Sequence, residues 1–286
     1  MLEYTWPILH QAEKLAEGGS VHVALRGLRQ LSLLDFGQFF LTLPNPHFPH
    51  LSRLLPSMAS DEVQRAWTGA EGIHLLSGTV DFMRMMKANF EDICHRPLDG
   101  ARVLDYGCGY GRITRLLYRY IDPETYVGVD PWTVSLDLCR IDGLLGNFVQ
   151  SDYLPETLPV GPDKFDLAFA FSVFTHTSLN ATLTGLRALR RHIKPNGLLV
   201  ITIRPVEYWS IAARITDEER SALMERHRAE GFAFVSDGAV RAGDEETFGD
   251  TTITLDWFAT HVPEWHVERV DRGLDGWQIV VMLSPA

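Results

Sequence analysis

The chain has 286 residues, of which 45% are apolar, and a formal net charge of −11; that is ample material for the core of one large or two small globular domains. The acidic balance opposes a nucleic-acid partner, because such binding relies on lysine and arginine displacing phosphate counterions. Cys94, Cys108 and Cys139 are too scattered for a disulfide framework or a zinc site and are expected to pack as small apolar residues.

The opening Met-Leu-Glu-Tyr-Thr-Trp-Pro has neither a basic start nor a continuous apolar stretch. No signal peptide or membrane-spanning helix is therefore expected, and the expected compartment is cytoplasmic. Within residues 1–42, Leu25, Leu28, Leu31 and Leu34 recur at mixed helical spacing, which reads as structural support or as the contact of a homodimer. Pro44, Pro46, Pro49 and Pro56 are expected to break regular structure, each lacking an amide donor. Ser60 is placed to cap a short helix running through Trp67, and Thr68-Gly69-Ala70-Glu71-Gly72 interrupts it. From Ile73 to about Arg96, Leu76, Val80, Met83, Met86, Phe90 and Ile93 mark a helix whose methionine stripe is expected to be core.

Residues 101–117 carry the strongest pattern. Val103 and Leu104 read as a buried strand that ends in Asp105 and Tyr106; Gly107, Gly109 and Gly111 follow, and Ile113, Leu116 and Leu117 resume at helical spacing. Glycines alternate where a chain bends sharply from strand to helix, or where backbone must approach a ligand closely. Tyr126-Val127-Gly128-Val129-Asp130 is a second strand ending in an acid, the placement at which a nucleotide fold sets a carboxylate on ribose hydroxyls. A dinucleotide pyrophosphate would require a small residue at the sixth position of Gly-x-Gly-x-x-Gly, where this chain has Arg112. Asp105 would also repel a pyrophosphate while attracting an ammonium group.

At these residues the chain resembles the class I S-adenosylmethionine-dependent methyltransferases, particularly bacterial enzymes of small molecules and glycans. The resemblance extends from about residue 98 to 286. Phe148 to Tyr153 is similar to the family's third strand with its adenine-binding acid, and Phe165 to His176 to its fourth strand. Leu198 to Ile203, preceded by the expected turn Lys194-Pro195-Asn196-Gly197, is similar to the fifth. Leu183, Leu186, Leu189 and Ile193 mark an amphipathic helix that Asn196-Gly197 is expected to end, with His192 in a structural role. Thr216-Asp217-Glu218-Glu219 is a capping box opening a helix to about Glu230; Phe232 to Val235 reads as a strand, and Phe248 to Thr254 as a capping turn or a stretch returning to the active site. Trp265 to Val270 and Trp277 to Leu283, joined through Arg272 to Gly276, read as a closing hairpin.

The implied fold is α/β, a Rossmann-like doubly wound sheet of seven strands with a C-terminal antiparallel β-hairpin. Residues 1–97 form a helical N-terminal cap and residues 98–286 the methyltransferase domain, with 205–252 as an insertion or lid. The implied cofactor is S-adenosyl-L-methionine, with S-adenosyl-L-homocysteine as product, and the implied acceptor a small molecule or glycan, methylated at oxygen. Family roles carried across place Asp105, Tyr106, Gly107, Cys108, Gly109 and Gly111 at the methionyl part, with Tyr106 or Tyr110 facing the sulfonium. Asp130 takes the ribose, Pro131 and Trp132 flank the adenine, Asp152 accepts from its amine beside Tyr153, and Phe171 lies near the methionyl group. His176 is the expected base, since a ring titrating near about 6.5 suits proton removal at neutral pH. Trp67, Arg112, Arg204, Tyr208 and Asp250 are candidates for the acceptor site, and the stretch Arg204 to Trp209 is expected to face it. No metal is expected. Alternative readings are an N-methyltransferase, a nicotinamide-dependent oxidoreductase, and a module that binds without catalysis.

Overall fold

The computed structural model describes residues 3–275 and 277–286. Met1, Leu2 and Gly276 of the expected hairpin connection lie outside the described residues. The N-terminal region is helical: α1 (Trp6–Ala16), α2 (Val21–Leu28), α3 (Leu33–Leu41), α4 (Pro49–Leu54), α5 (Asp61–Thr68) and α6 (Gly72–Cys94). Ser20, Ser32 and Ser60 each accept a main-chain amide at the start of a helix, satisfying donors that have no intrahelical partner. Pro49 was expected to interrupt the chain; it opens α4 instead, because the first turn of a helix needs no proline N–H and favours its fixed φ.

β1 (Val103–Tyr106), α7 (Arg112–Leu117), β2 (Tyr126–Asp130), α8 (Thr133–Ile141), β3 (Asn147–Gln150), β4 (Phe165–Ala170), α9 (Leu179–His192) and β5 (Ile193–Ile203) follow in alternation. Then come α10 (Asp217–Glu230), β6 (Phe232–Ser236), the two-residue strands β7 (Arg241–Ala242) and β8 (Glu245–Glu246), β9 (Gly249–Ile253) and α11 (Leu255–His261). β10 (Trp265–Asp275) and β11 (Gln278–Pro285) close the chain. The main sheet has seven strands in the order β10-β11-β5-β4-β1-β2-β3, the mixed, Rossmann-like arrangement expected from sequence. β1 and β5 both run parallel to β4, and β11 is antiparallel to β5 and to β10. β1 and β4 are buried along their whole lengths, as strands covered on both faces must be.

Two corrections concern this half of the chain. α9 ends at His192 and β5 begins at once, so Lys194-Pro195-Asn196-Gly197 is no free turn. Pairing with β4 passes from Phe165↔Ile193 to Leu167↔Leu198, so the extra residues form a bulge; glycine fits there because a Cβ on Gly197 would press on the Asp166 carbonyl at 2.9 Å. Phe248 to Thr254 likewise contains a strand, with β9 paired antiparallel to β6 and only Thr254 capping α11.

The chain divides into two compact units, one of Met1–Ala88, Pro97–Ala101 and Cys108–Val149, the other of Asn89–Arg96, Arg102–Gly107 and Gln150–Ala286. In the first, Leu25, Leu28 and Leu31 join Leu9, Phe36, Phe39, Phe40 and Phe48 in one buried cluster, so this leucine stripe supports the chain's own core. Met83 and Met86 are fully buried, as expected of that stripe. In the second, Trp209 is buried and donates from Nε1 to Thr252 Oγ1 at 2.9 Å; its ring belongs to a core with Ala212, Leu223 and Ala233, whereas the stretch Arg204 to Trp209 was expected to face the acceptor site. Among the described residues no helix is long and apolar enough to cross a membrane.

Candidate functional site

In the first unit the glycine loop is held from two sides. Gly109 and Gly111 take φ of 55° and 72°, values that cost a side-chain-bearing residue about 1–2 kcal/mol. The Asp130 carboxylate at the end of β2 accepts from the Gly109 amide through Oδ2 and from the Trp132 amide through Oδ1, both at 2.9 Å. Burial pushes the Asp130 carboxyl up, and the two amides oppose that shift. The Ser135 side chain opposes it as well, and a carboxylate offers about four lone-pair directions, so acceptor capacity remains for a ligand's hydroxyl.

From the inner side Arg115, 1% exposed, donates through Nη1 to the carbonyls of Tyr110 at 2.8 Å and Gly111 at 2.9 Å. Its other donors reach the Ser57 carbonyl and Asp142. In the sequence Arg115 stands out only as a basic residue one helical turn beyond the last glycine. Arg112 points to Thr79 of α6, Nη1 to Oγ1 2.6 Å.

Three aromatic rings surround this loop. Trp67 stacks on Trp132 with centroids 4.9 Å apart and planes at 20°, and meets Tyr110 edge-on at 5.7 Å. Tyr110 is 3% exposed, and its hydroxyl is buried with no hydrogen-bond partner among the described residues; burial holds its ionisation above the ordinary range. Cys108 is buried and donates its amide to the Val129 carbonyl at 3.2 Å, while Pro131 is half-buried.

In the second unit β1, β4 and β5 are parallel, so their ends deliver Gly107, Phe171 and Arg204 to one edge. Gly107 has φ 79°, and a Cβ there would overlap Val173. Asp105 is 2% exposed and Tyr106 7%; the Tyr106 ring stacks at 6.0 Å on Phe174 and its hydroxyl lies against Gly185, so that ring serves the core. Phe171 and Tyr153 are half-buried and Asp152 exposed. Ser172 follows Phe171 at φ 59°, strained for a residue with a side chain, its amide donating to Thr202 Oγ1 at 2.7 Å.

His176, Arg204, Tyr208 and Asp250, far apart in sequence, form one cluster. β9 lies along the segment after β4: the Gly249 amide donates to the His176 carbonyl at 2.8 Å and the Thr251 amide to the Thr175 carbonyl at 2.9 Å. The His176 ring extends this ladder, Nδ1 donating to the Gly249 carbonyl at 2.7 Å. Nε2 must then carry the lone pair, and it faces Arg204 Nη2 at 3.0 Å. Burial and the Arg204 charge hold the ring's ionisation down to about 4, below the neutral range expected of it, and the lone pair already accepts a bond. Arg204, expected to bind the acceptor, also donates through Nη1 to the Thr175 carbonyl at 2.7 Å and to Asp250 Oδ1 at 2.6 Å. Its guanidinium stacks 4.0 Å from the Tyr208 ring centroid. Burial pushes the Tyr208 hydroxyl up to about 12. Phe248, 40% exposed, stacks on His176 at 5.0 Å and was missed in the sequence. Only the pairing of β9 reveals it.

Residues 103–197 match the family model for a methyltransferase domain. The phthiotriol/phenolphthiotriol dimycocerosates methyltransferase 1 of Mycobacterium ulcerans is 32% identical over 119 residues, covering 39% of this chain and 41% of that protein. The ubiquinone biosynthesis O-methyltransferase of Brucella anthropi is 29% identical over 118 residues, 40% and 46% of the two chains. This chain thus spans less than half the length of either relative. The structure of magnesium protoporphyrin IX methyltransferase from Synechocystis PCC 6803 covers 78% of this chain and 92% of its own, at 11% identity and a TM-score of 0.47.

Proposed function

We propose that this chain, whose residues 103–197 match a methyltransferase domain, is an S-adenosylmethionine-dependent methyltransferase of a small-molecule or glycan acceptor, acting at oxygen. The observation that carries the reading is the run from Asp105 to Gly111, an acid followed by three glycines all at positive φ, together with the carboxylate of Asp130 that fixes the Gly109 amide. The residues present suit that cofactor: the bare Cα of Gly109, the remaining acceptor capacity of the Asp130 carboxylate and the Tyr110 hydroxyl, unpartnered among the described residues, offer shape and polar partners. When bound, the cofactor supplies a methyl group on a sulfonium. Asp105 would then lie near its ammonium, Asp130 on its ribose, Pro131 and Trp132 about its adenine with Asp152 and Tyr153, and Phe171 near its methionyl part. Holding two reactants in line supplies much of the acceleration in such a displacement.

An acceptor hydroxyl must lose its proton as its oxygen gains the methyl carbon. His176 has its lone pair on Arg204, so we assign it a positioning role, holding β9 and the Arg204 fork. The proton goes to Asp250, whose side chain is 29% exposed and binds Arg204 through Oδ1. With Arg204 committed to Thr175, Asp250 and His176, a neutral hydroxyl suits this cluster better than an anionic acceptor. The test is turnover of methyl-labelled S-adenosylmethionine with a panel of phenols, sugars and aliphatic alcohols, followed as S-adenosylhomocysteine. Acceptor-dependent release supports the reading; binding of both cofactor forms with no transfer to any hydroxyl or amine leaves only a binding module.

A further inference from the structure

The three glycines of the loop are bare for different reasons. A Cβ on Gly111 would overlap Leu144, and one on Gly107 would overlap Val173, so packing inside each unit already demands glycine at both. On Gly109 a Cβ would meet only the Trp67 ring, at an ordinary 3.7 Å. This is the face of the loop that the fold leaves open, and an indole covers it. A ligand pressed against that face needs about a ring's thickness of space, which Trp67 takes.

The same indole lies on Trp132 at 4.9 Å and 20°, too close for another planar ring to enter. Trp132 is 47% exposed, so its ring stays within reach of a ligand. The Tyr110 ring meets the indole edge-on, and its buried hydroxyl has no partner among the described residues. Such atoms are costly and mark places where something else binds.

Resting on the cofactor reading above, we infer that Trp67 is a displaceable cover. It holds the nucleoside's place on Gly109 and Trp132, competes with the cofactor for that surface, and so sets its affinity. The motion is of the side chain, not of α5. That helix is anchored by Ser60 at its start and by Gln64, which donates to the Ala59 carbonyl at 2.7 Å and accepts from the Gly72 amide at 3.0 Å. Trp67 itself is half-buried, and Gly69 and Gly72 beside it have open space where a Cβ would stand.

The sign of one substitution separates a cover from a wall of the bound state. Removing a cover relieves competition, so Trp67→Ala should bind S-adenosylhomocysteine roughly twofold to tenfold more tightly, the span that an aromatic pair contributes. Trp67→Phe, which keeps a ring and the helix, should fall between. Stacked indoles also couple their transitions, giving a split circular-dichroism band that Trp67→Phe identifies by its loss. In the wild-type chain that band should collapse on saturation with S-adenosylhomocysteine. Weaker binding by Trp67→Ala, or a band unchanged at saturation, overturns the inference and makes Trp67 a fixed wall. If calorimetry finds no binding of S-adenosylhomocysteine to the wild-type chain, the cofactor reading itself fails and the inference with it.

Discussion

Protonating His176 should unlatch β9, and the effect can be sized. The ring is surrounded by Arg204, the Gly249 carbonyl, Asp250 with Oδ1 3.6 Å from Nδ1, and Phe248. Burial first and the Arg204 charge second depress its ionisation to about 4, against about 6.5 in an unfolded chain. Because the folded value is the lower one, the unfolded chain binds the proton more tightly. The contribution to stability is therefore complete above about pH 6.5 and is lost as pH falls toward about 4. At about 1.4 kcal/mol per unit the full loss is on the order of 3 kcal/mol. His176→Asn retains a donor for the Gly249 carbonyl and cannot titrate. Urea unfolding of both chains from pH 7 to pH 4.5, compared by linear extrapolation, should show the wild-type advantage shrinking by most of that amount. His192 and His227, whose ionisations burial also lowers, cancel in the difference. A difference that stays flat across this window would refute the neutral, Arg204-bonded ring.

Gly111→Ala should destabilise by about 2 kcal/mol or more, combining positive φ with overlap on Leu144; Gly161→Ala, at φ 64° with nothing within 4 Å, should cost only about 1 kcal/mol, and equal melting curves for the two would contradict the packing at Leu144. Asp130→Asn offers one acceptor oxygen where two amides now bond, so affinity for S-adenosylhomocysteine should fall about tenfold to a hundredfold, which titration calorimetry reads directly. Asp250→Asn should lower single-turnover methyl transfer to a hydroxyl acceptor by roughly 10²-fold to 10⁴-fold with cofactor affinity nearly kept. His176→Asn should lower it less, and the reverse ranking would return the proton to His176.

Local signals were legible where local physics decides the outcome. Thr216 and Glu219 form the reciprocal capping box as read, because every bond in it lies within one helical turn. β2 spans Tyr126–Asp130 as expected, since an apolar run closed by an acid has few other homes. Lys194-Pro195-Asn196-Gly197 misled because the same residues that make a turn also make a bulge, and pairing with β4 decides between them. The same limit hid the His176 cluster. Nothing near position 176 announces that β9, more than seventy residues onward, places a carbonyl on Nδ1, or that Arg204 takes Nε2. Residue types could nominate His176, Arg204, Tyr208 and Asp250, but only their mutual bonds assign which lone pair is free.

The loop from Asp105 to Gly111 and the carboxylate of Asp130 are the proposed seat of S-adenosylmethionine. Titration calorimetry of the full chain with S-adenosylmethionine, S-adenosylhomocysteine and NADH, in parallel with Asp130→Asn, tests it most directly. Both sulfur nucleosides should bind one-to-one, more weakly in the variant, and NADH should give no heat. Binding of NADH alone, or sulfur-nucleoside binding indifferent to Asp130→Asn, would contradict it.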